Sequence, residues 1–171
     1  LEFLIRLQPH GQFSTYLQHT ALSGQRIQVS AASGTFGVQE QSLAPRCFIA
    51  GGTGLAPFLS ILQRMADWDE EHPTQLFVGM NNKQEIFCQD ELAALEQAIV
   101  QLKVDICVWK PSENWTGFCG TPANALRAYL ANVDVLLDVF LCGPLLLVEA
   151  ATHIAVDAGI NPERIFCERF A

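Results

Sequence analysis

From Arg46 onward the sequence repeats one rhythm, a short apolar run followed by a stretch with helical spacing, and that rhythm admits few folds. The apolar runs are Cys47–Ala50, Leu76–Met80, Val104–Trp109, Val139–Cys142 and Arg164–Cys167. The stretches between them are Pro57–Trp68, Gln89–Ala98, Thr121–Ala131 and Leu145–Ala158. Runs as apolar as Cys47–Ala50 and Val139–Cys142 are what strands buried on both faces look like. Strands that alternate with helices require right-handed crossovers, so the spacing predicts an α/β fold, a doubly wound parallel five-stranded sheet. Sheets of that kind hold ligands beyond the carboxyl ends of their strands.

Residues 1–44 lack the rhythm. Leu1–Leu7 and Arg26–Ala31 read as strands, and Ser14–Leu22 reads as a short helix with Ser14 as its N-cap. Gly34 and Gly37 mark a turn around Phe36. That is too little for a domain, so 1–44 is expected to be the end of one domain and 45–171 a second, complete one.

Composition narrows the function classes. Half of the 171 residues are hydrophobic and 16% are charged, which excludes a disordered chain. The formal charge of −8 argues against nucleic acid or an anionic membrane as partner. The apolar run Cys47–Gln63 is interrupted by Gly51, Gly52, Gly54 and Pro57, so no membrane span is expected. No basic segment leads into an apolar one near Leu1, so no signal peptide is visible. The six cysteines are scattered without a C-x-x-C pair, which leaves no zinc ribbon and no iron–sulfur ligand set and suits free thiols in the cytoplasm. Histidines 10, 19, 72 and 153 have no partner at ligand spacing, so no metal is expected. The acidic run Asp67, Asp69, Glu70 and Glu71 reads as a solvated helix exit.

Three motifs fall at predicted strand ends. Gly51-Gly52-Thr53-Gly54-Leu55-Ala56-Pro57 joins the first strand to its helix. Glycines let backbone amides approach a phosphate, the helix N-terminus adds positive potential, and Pro57 suits a first helical turn. An ordinary tight turn needs fewer glycines, so a pyrophosphate site is favoured, although the spacing is not G-x-G-x-x-G. Cys142-Gly143-Pro144 closes the fourth strand, where a small thiol fits beside a ligand ring. Phe166-Cys167-Glu168-Arg169-Phe170 carries a carboxylate and an aromatic to the same mouth. Alone, the first of these last two reads more readily as a buried core cysteine before a common helix opener, and the second as an edge strand with a salt-bridged Glu168.

In this order the three motifs resemble the ferredoxin–NAD(P) reductase-like superfamily. The stretches LEFLIR, GQFSTYL, APRCFIAGGTGLAP, IFCQDELAALE, VWKPSENWTG and FLCGP are most similar to the reductase components of soluble methane monooxygenase and related bacterial diiron monooxygenases. The resemblance implies an NADH-dependent flavoprotein that passes a hydride from NADH to FAD and electrons onward, through an iron–sulfur domain, to an oxygenase component. It implies that residues 1–44 are the C-terminal part of an antiparallel FAD-binding β-barrel and that 45–171 bind NAD(P). Gly51, Gly52, Thr53, Gly54 and Pro57 are then expected at the dinucleotide pyrophosphate. Cys142, Gly143 and Pro144 are expected beside the nicotinamide, Glu168 near the hydride-transfer locus and Phe170 against the isoalloxazine. Thr53, Cys142 and Glu168 shape the catalytic pocket rather than act as nucleophiles. Gly11, Phe13 and Ser14, in a G-x-x-S element, are expected at the FAD pyrophosphate.

After the second strand the chain reads Gly79-Met80-Asn81-Asn82-Lys83, where a 2′-phosphate would want an arginine. Asn81 suits a ribose hydroxyl, so NADH is expected over NADPH. Trp109 and Trp115 lie near the nucleotide end, with packing as the expectation and adenine contact open. The family's R-x-Y-S/T flavin motif and its 2Fe-2S cysteines are not among these residues, so the chain is expected to be a fragment. Two alternatives stay open, a related flavoprotein with another acceptor and a nucleotide-binding electron-transfer subunit without turnover.

Overall fold

The rhythm is realised as a parallel sheet in the computed structural model, which describes residues 1–31, 33–39, 41–133 and 136–170. The chain divides into two compact units, Leu1–Thr35 and Phe36–Ala171.

In the second unit the strands are β1 (Arg46–Gly51), β2 (Thr74–Met80), β3 (Leu102–Val108), β4 (Phe118–Cys119), β5 (Asp138–Pro144) and β6 (Ile165–Phe170). Between them run α2 (Ala56–Asp67), α3 (Gln89–Ala98), α4 (Pro122–Leu130) and α5 (Leu145–Asp157). The sheet order is β4-β3-β2-β1-β5-β6, and all five pairings are parallel. It therefore has six strands where five were expected. The additional one, β4, is two residues long, pairs Phe118 with Cys107 and Cys119 with Val108, and is too short for any periodic signal.

Burial accounts for the apolar runs. β1 is buried at every residue and β5 at every residue except Pro144. Cys47, Ile49, Phe77, Val139 and Leu141 face α4 and α5 through Leu126, Val148, Ala151 and Ala155. The alternate residues Phe48 and Phe140 point the other way. Phe48 stacks on Phe58 of α2 at 4.8 Å, and Phe140 stacks on Phe166 of β6 at 4.8 Å. Phe36 closes this group edge-on against Phe58 and Phe140, which explains why the unit begins at this residue. Truncating one of the fully buried phenylalanines would cost about 3–5 kcal/mol.

The acidic run is not simply solvated. Glu70 lies 3.1 Å from the buried guanidinium of Arg46 and 3.3 Å from Arg64, because Arg46 opens β1 at the amino edge and needs a counter-charge there. Asp138 at the start of β5 is likewise buried and paired with Arg164 at 2.7 Å.

In the first unit α1 spans Gln12–His19. The helix starts before Ser14, so Ser14 is not its N-cap. The Ser14 hydroxyl accepts the Gln8 amide at 2.9 Å instead, and Gly11 occupies the cap. Leu1–Leu7 and Arg26–Ala31 form no strand among the described residues, since a strand needs a ladder partner and neither segment has one there. Among the described residues no helix is long and apolar enough to cross a membrane.

Three buried thiols give the fold a pH dependence. Burial pushes Cys47 up from an ordinary value near 9, Cys107 to about 12 with Asp105 adding to the effect, and Cys142 to about 12. The unfolded chain releases these protons near pH 9 and the folded chain keeps them, so raising the pH favours unfolding. Stability is expected to be intact below about pH 9 and to fall between about pH 9 and 12, by up to about 1.4 kcal/mol per pH unit per thiol. Melting temperatures recorded from neutral to alkaline pH check this, and a flat profile above about pH 9 would contradict it.

Candidate functional site

The strand order reverses between β1 and β5. Strands β2, β3 and β4 build outward on one side and β6 on the other, so the β1–β5 boundary opens a crevice at the carboxyl edge. Both turns bordering the crevice are glycine-rich. After β1, Gly52–Leu55 makes a single 3₁₀ turn into α2, with Pro57 in the first helical turn. β5 itself ends through Gly143 and Pro144 and leads straight into α5.

These glycines do two different things. A Cβ on Gly54 would overlap the Cys142 carbonyl, lying 2.6 Å from its carbon and 2.9 Å from the Gly143 nitrogen. A Cβ on Gly51 would lie 2.6 Å from Leu147 and 2.8 Å from Pro144. A Cβ on Gly143, which sits at φ +150°, would lie 3.0–3.2 Å from the Gly51 backbone. Gly51, Gly54 and Gly143 thus interlock the two turns. Gly52 differs: it is left-handed at φ +55°, and nothing lies within 4 Å of where its Cβ would be. It presents bare backbone to open space. No side chain caps either the 3₁₀ turn or α2, in contrast to α4, where Thr121 and Asn124 form a complete capping box. The uncapped amides beside Gly52 and Thr53 suit an anionic group.

β6 brings the C-terminal motif to the same edge. Its register pairs Cys142 with Glu168 and Pro144 with Phe170. The Cys142 thiol donates to the Glu168 carboxylate, Sγ to Oε2 at 3.9 Å. Burial, then the charge of Glu168, then that hydrogen bond push the thiol to about 12, so it is a neutral donor at physiological pH and not a nucleophile. Glu168 is exposed, and the Phe170 ring is 38% exposed beside it.

Two further clusters complete the edge. At the end of β2, Gly79 lies so close to Pro122 that a Cβ would come within 2.6 Å of its ring. Asn81 and Asn82 donate their amides to the two oxygens of Glu85, at 3.2 and 2.8 Å. The sequence reading missed Glu85, whose signal is the N-N-x-x-E spacing straight after a strand. At the end of β3, Trp109 and Lys110 are pinned to the β2 exit, the Trp109 amide donating to Met80 at 3.0 Å and the Lys110 amide to Asn81 at 2.8 Å.

The carboxyl edge therefore gathers Gly51, Gly52, Thr53, Gly54, Pro57, Gly79, Asn81, Cys142, Gly143, Pro144, Glu168 and Phe170. Gly11, Phe13 and Ser14 belong to the other unit, at the start of α1, which also has no side-chain cap. Of these, Ser14 is buried and engaged with Gln8, while the Phe13 ring is 53% exposed. A groove at the C-terminal ends of α4 and α5, lined by Arg127, Leu130, Ile154 and Asp157, lies at the opposite edge of the sheet.

Comparison with known proteins bears on the same surface. Residues 48–153 match the family of oxidoreductase NAD-binding domains. Methane monooxygenase component C of Methylosinus trichosporium is 38% identical over 137 residues, 80% of this chain and 40% of the relative. The toluate 1,2-dioxygenase electron transfer component of Pseudomonas putida is 31% identical over 171 residues, 100% of this chain and 50% of the relative. The chain thus spans about half the length of the curated relatives it matches. Among solved structures, the ferredoxin reductase in carbazole 1,9a-dioxygenase superposes with a TM-score of 0.80 at 20% identity, covering 98% of this chain and 50% of that one.

Proposed function

The chain belongs to the oxidoreductase NAD-binding domain family, and from that premise we propose that it forms the nucleotide-binding part of an NADH-dependent flavoprotein reductase. The reductase delivers electrons, through an iron–sulfur centre, to an oxygenase component. The observation that carries the reading is the crevice at the β1–β5 reversal, where Gly52 exposes bare backbone beside uncapped amides and the Cys142–Glu168 pair stands opposite. The relatives named as a methane monooxygenase component and a dioxygenase electron transfer component support the choice of acceptor. Six scattered cysteines without a C-x-x-C pair suit a reducing cytoplasm.

In this reading Gly52, Thr53 and the first turn of α2 hold the NADH pyrophosphate. Gly51, Gly54 and Pro57 give that turn its shape. Cys142, Gly143 and Pro144 border the nicotinamide. Glu168 is the carboxylate nearest the reacting ring, with its orientation set by the neutral Cys142 thiol. Gly79 and Asn81 border the adenosine end, where the Glu85 carboxylate opposes a 2′-phosphate and so favours NADH. For FAD, the uncapped N-terminus of α1 fits a pyrophosphate, with Gly11 and Ser14 at its first turn and Phe13 beside it. Phe170 lies against the flavin ring. FAD, when bound, takes up two electrons from NADH together and returns them one at a time. The protein's contribution is positioning, since hydride transfer needs the two reacting atoms at about 3–3.5 Å with the rings aligned.

The test supplies the protein with FAD and NADH, and with ferricyanide as a one-electron acceptor. Loss of the flavin's visible absorbance and sustained NADH oxidation are expected. NADH binding without either would replace the reductase by a nucleotide-binding subunit without turnover.

A further inference from the structure

The amino edge of the sheet, away from the crevice, exposes four large apolar side chains in the loops that lead into four neighbouring strands. Val100 before β3 is 90% exposed, Trp68 before β2 75%, Leu43 before β1 88% and Leu136 before β5 65%. The strands β3, β2, β1 and β5 are adjacent in that order, and all four residues belong to the second unit. Hydrogen bonds stitch the loops together. The Gln101 side chain donates to the Glu71 carbonyl at 2.9 Å, and His72 Nε2 lies 3.0 Å from the Ser42 carbonyl oxygen. The Asp138 amide donates to the Pro45 carbonyl at 2.9 Å, and the Trp68 amide closes α2 on Arg64 at 3.1 Å. The four residues therefore share one rim that spans three strand spacings, ~14 Å. Single exposed apolar residues are ordinary, but several along one rim mark a contact face.

Charge selects the partner. Asp67, Asp69 and Glu71 are exposed next to Trp68 in the chain. Arg46 and Arg64 are committed to Glu70, and Arg164 to Asp138. Of the exposed cations near this edge, Lys103 sits on β3 and Arg127 shares its groove with Asp157, so negative charge prevails around Trp68. A second copy would bring the same carboxylates against these, and an anionic membrane would be repelled. Cations flanking an apolar stripe would be attracted. An amphipathic helix repeats an apolar residue about every 5.4 Å, near the ~4.8 Å step between the loops, and about ten residues would cover the rim. We propose that the amino edge is a docking rim for a partner protein that presents a basic amphipathic helix. Its apolar face lies on Val100, Trp68, Leu43 and Leu136, with Lys or Arg toward Asp67, Asp69 and Glu71. β2 is seven residues long, so the rim is roughly 20 Å from the crevice and a partner seated there leaves the crevice open. The inference stands apart from the dinucleotide reading.

The experiment is a calorimetric titration of the full chain with a synthetic helical peptide that carries Leu at i, i+4, i+7 and i+11 and Lys beside them. Saturable binding that weakens with added salt is expected. A peptide of the same composition, with its leucines scrambled around the helix, should bind about tenfold more weakly. Trp68→Ser combined with Val100→Ser should weaken the amphipathic peptide about tenfold or more. NADH affinity and melting temperature should stay unchanged in that variant, since both side chains are exposed and neither lies at the carboxyl edge. No saturable binding, equal affinity for the two peptides, or equal affinity in the parent and the double variant would overturn the inference. Self-association of the chain, or uptake by neutral phosphatidylcholine vesicles, either one lost in the double variant, would overturn it by assigning the rim to a second copy or to a lipid surface.

Discussion

Gly54→Ala is expected to lower the melting temperature by about 5–10 °C, while Gly52→Ala shifts it by only a few degrees. The added methyl at Gly54 runs into the Cys142 carbonyl, a backbone group held in the β1–β5 and β5–β6 ladders that cannot rotate aside. Overpacking of this kind costs about 1–3 kcal/mol or more. At Gly52 the methyl meets nothing, and the cost is the left-handed backbone alone, about 1–2 kcal/mol. The effects on NADH binding should not follow stability. Gly52→Ala places a methyl on the surface that faces the pyrophosphate, so affinity is expected to drop at least tenfold in a protein that is still folded. Thermal denaturation and calorimetry on the two variants check both halves. Equal destabilisation, or full NADH affinity in Gly52→Ala, would refute the division of labour among these glycines.

Glu168→Ala, in protein loaded with FAD, should slow flavin reduction by NADH on the order of 10²-fold, the effect of losing orientation by about an ångström. NADH affinity should change far less, because the pyrophosphate grip is elsewhere. The neighbouring thiol offers an independent readout. With the carboxylate gone, two of the three causes that raise Cys142 vanish and only burial remains, so its ionisation moves back toward the ordinary range. Alkylation of Cys142 should then begin at lower pH than in the parent. Glu168→Gln, which removes the charge but can still accept a hydrogen bond, should fall between. Stopped-flow reduction and mass-spectrometric mapping of alkylated cysteines measure the two effects. An unaltered reduction rate would take Glu168 out of the reaction.

The sheet was legible because its central strands β1, β2 and β5 are buried on both faces. Cys47–Ala50 and Val139–Cys142 have no polar residue to break the run, and the observed strands exceed these spans by one or two residues at an end. What escaped reading depends on partners distant in sequence. β4 exists only through its pairing with Cys107 and Val108. The expected strands at Leu1–Leu7 and Arg26–Ala31 have the right alternation, yet alternation makes no ladder without a neighbour. The site was partly legible for the same reason. The three motifs do meet at one edge, but a glycine in a sequence does not say what its Cβ would touch, so Gly54 reads like Gly52. Glu70 and Glu85 both look like surface carboxylates, and only the fold brings Arg46 to one and the two asparagine amides to the other.

The central claim is that the dinucleotide lies across the carboxyl edge at the β1–β5 reversal. Backbone amide shifts of the isotope-labelled chain, followed during titration with NADH, test it most directly. The account predicts that the largest changes fall on Gly51–Gly54, Cys142–Leu145 and Glu168–Phe170, with a second group at Asn81–Glu85 and Trp109. Changes confined to the α4–α5 groove around Arg127 and Asp157, or none at saturating NADH, would contradict it.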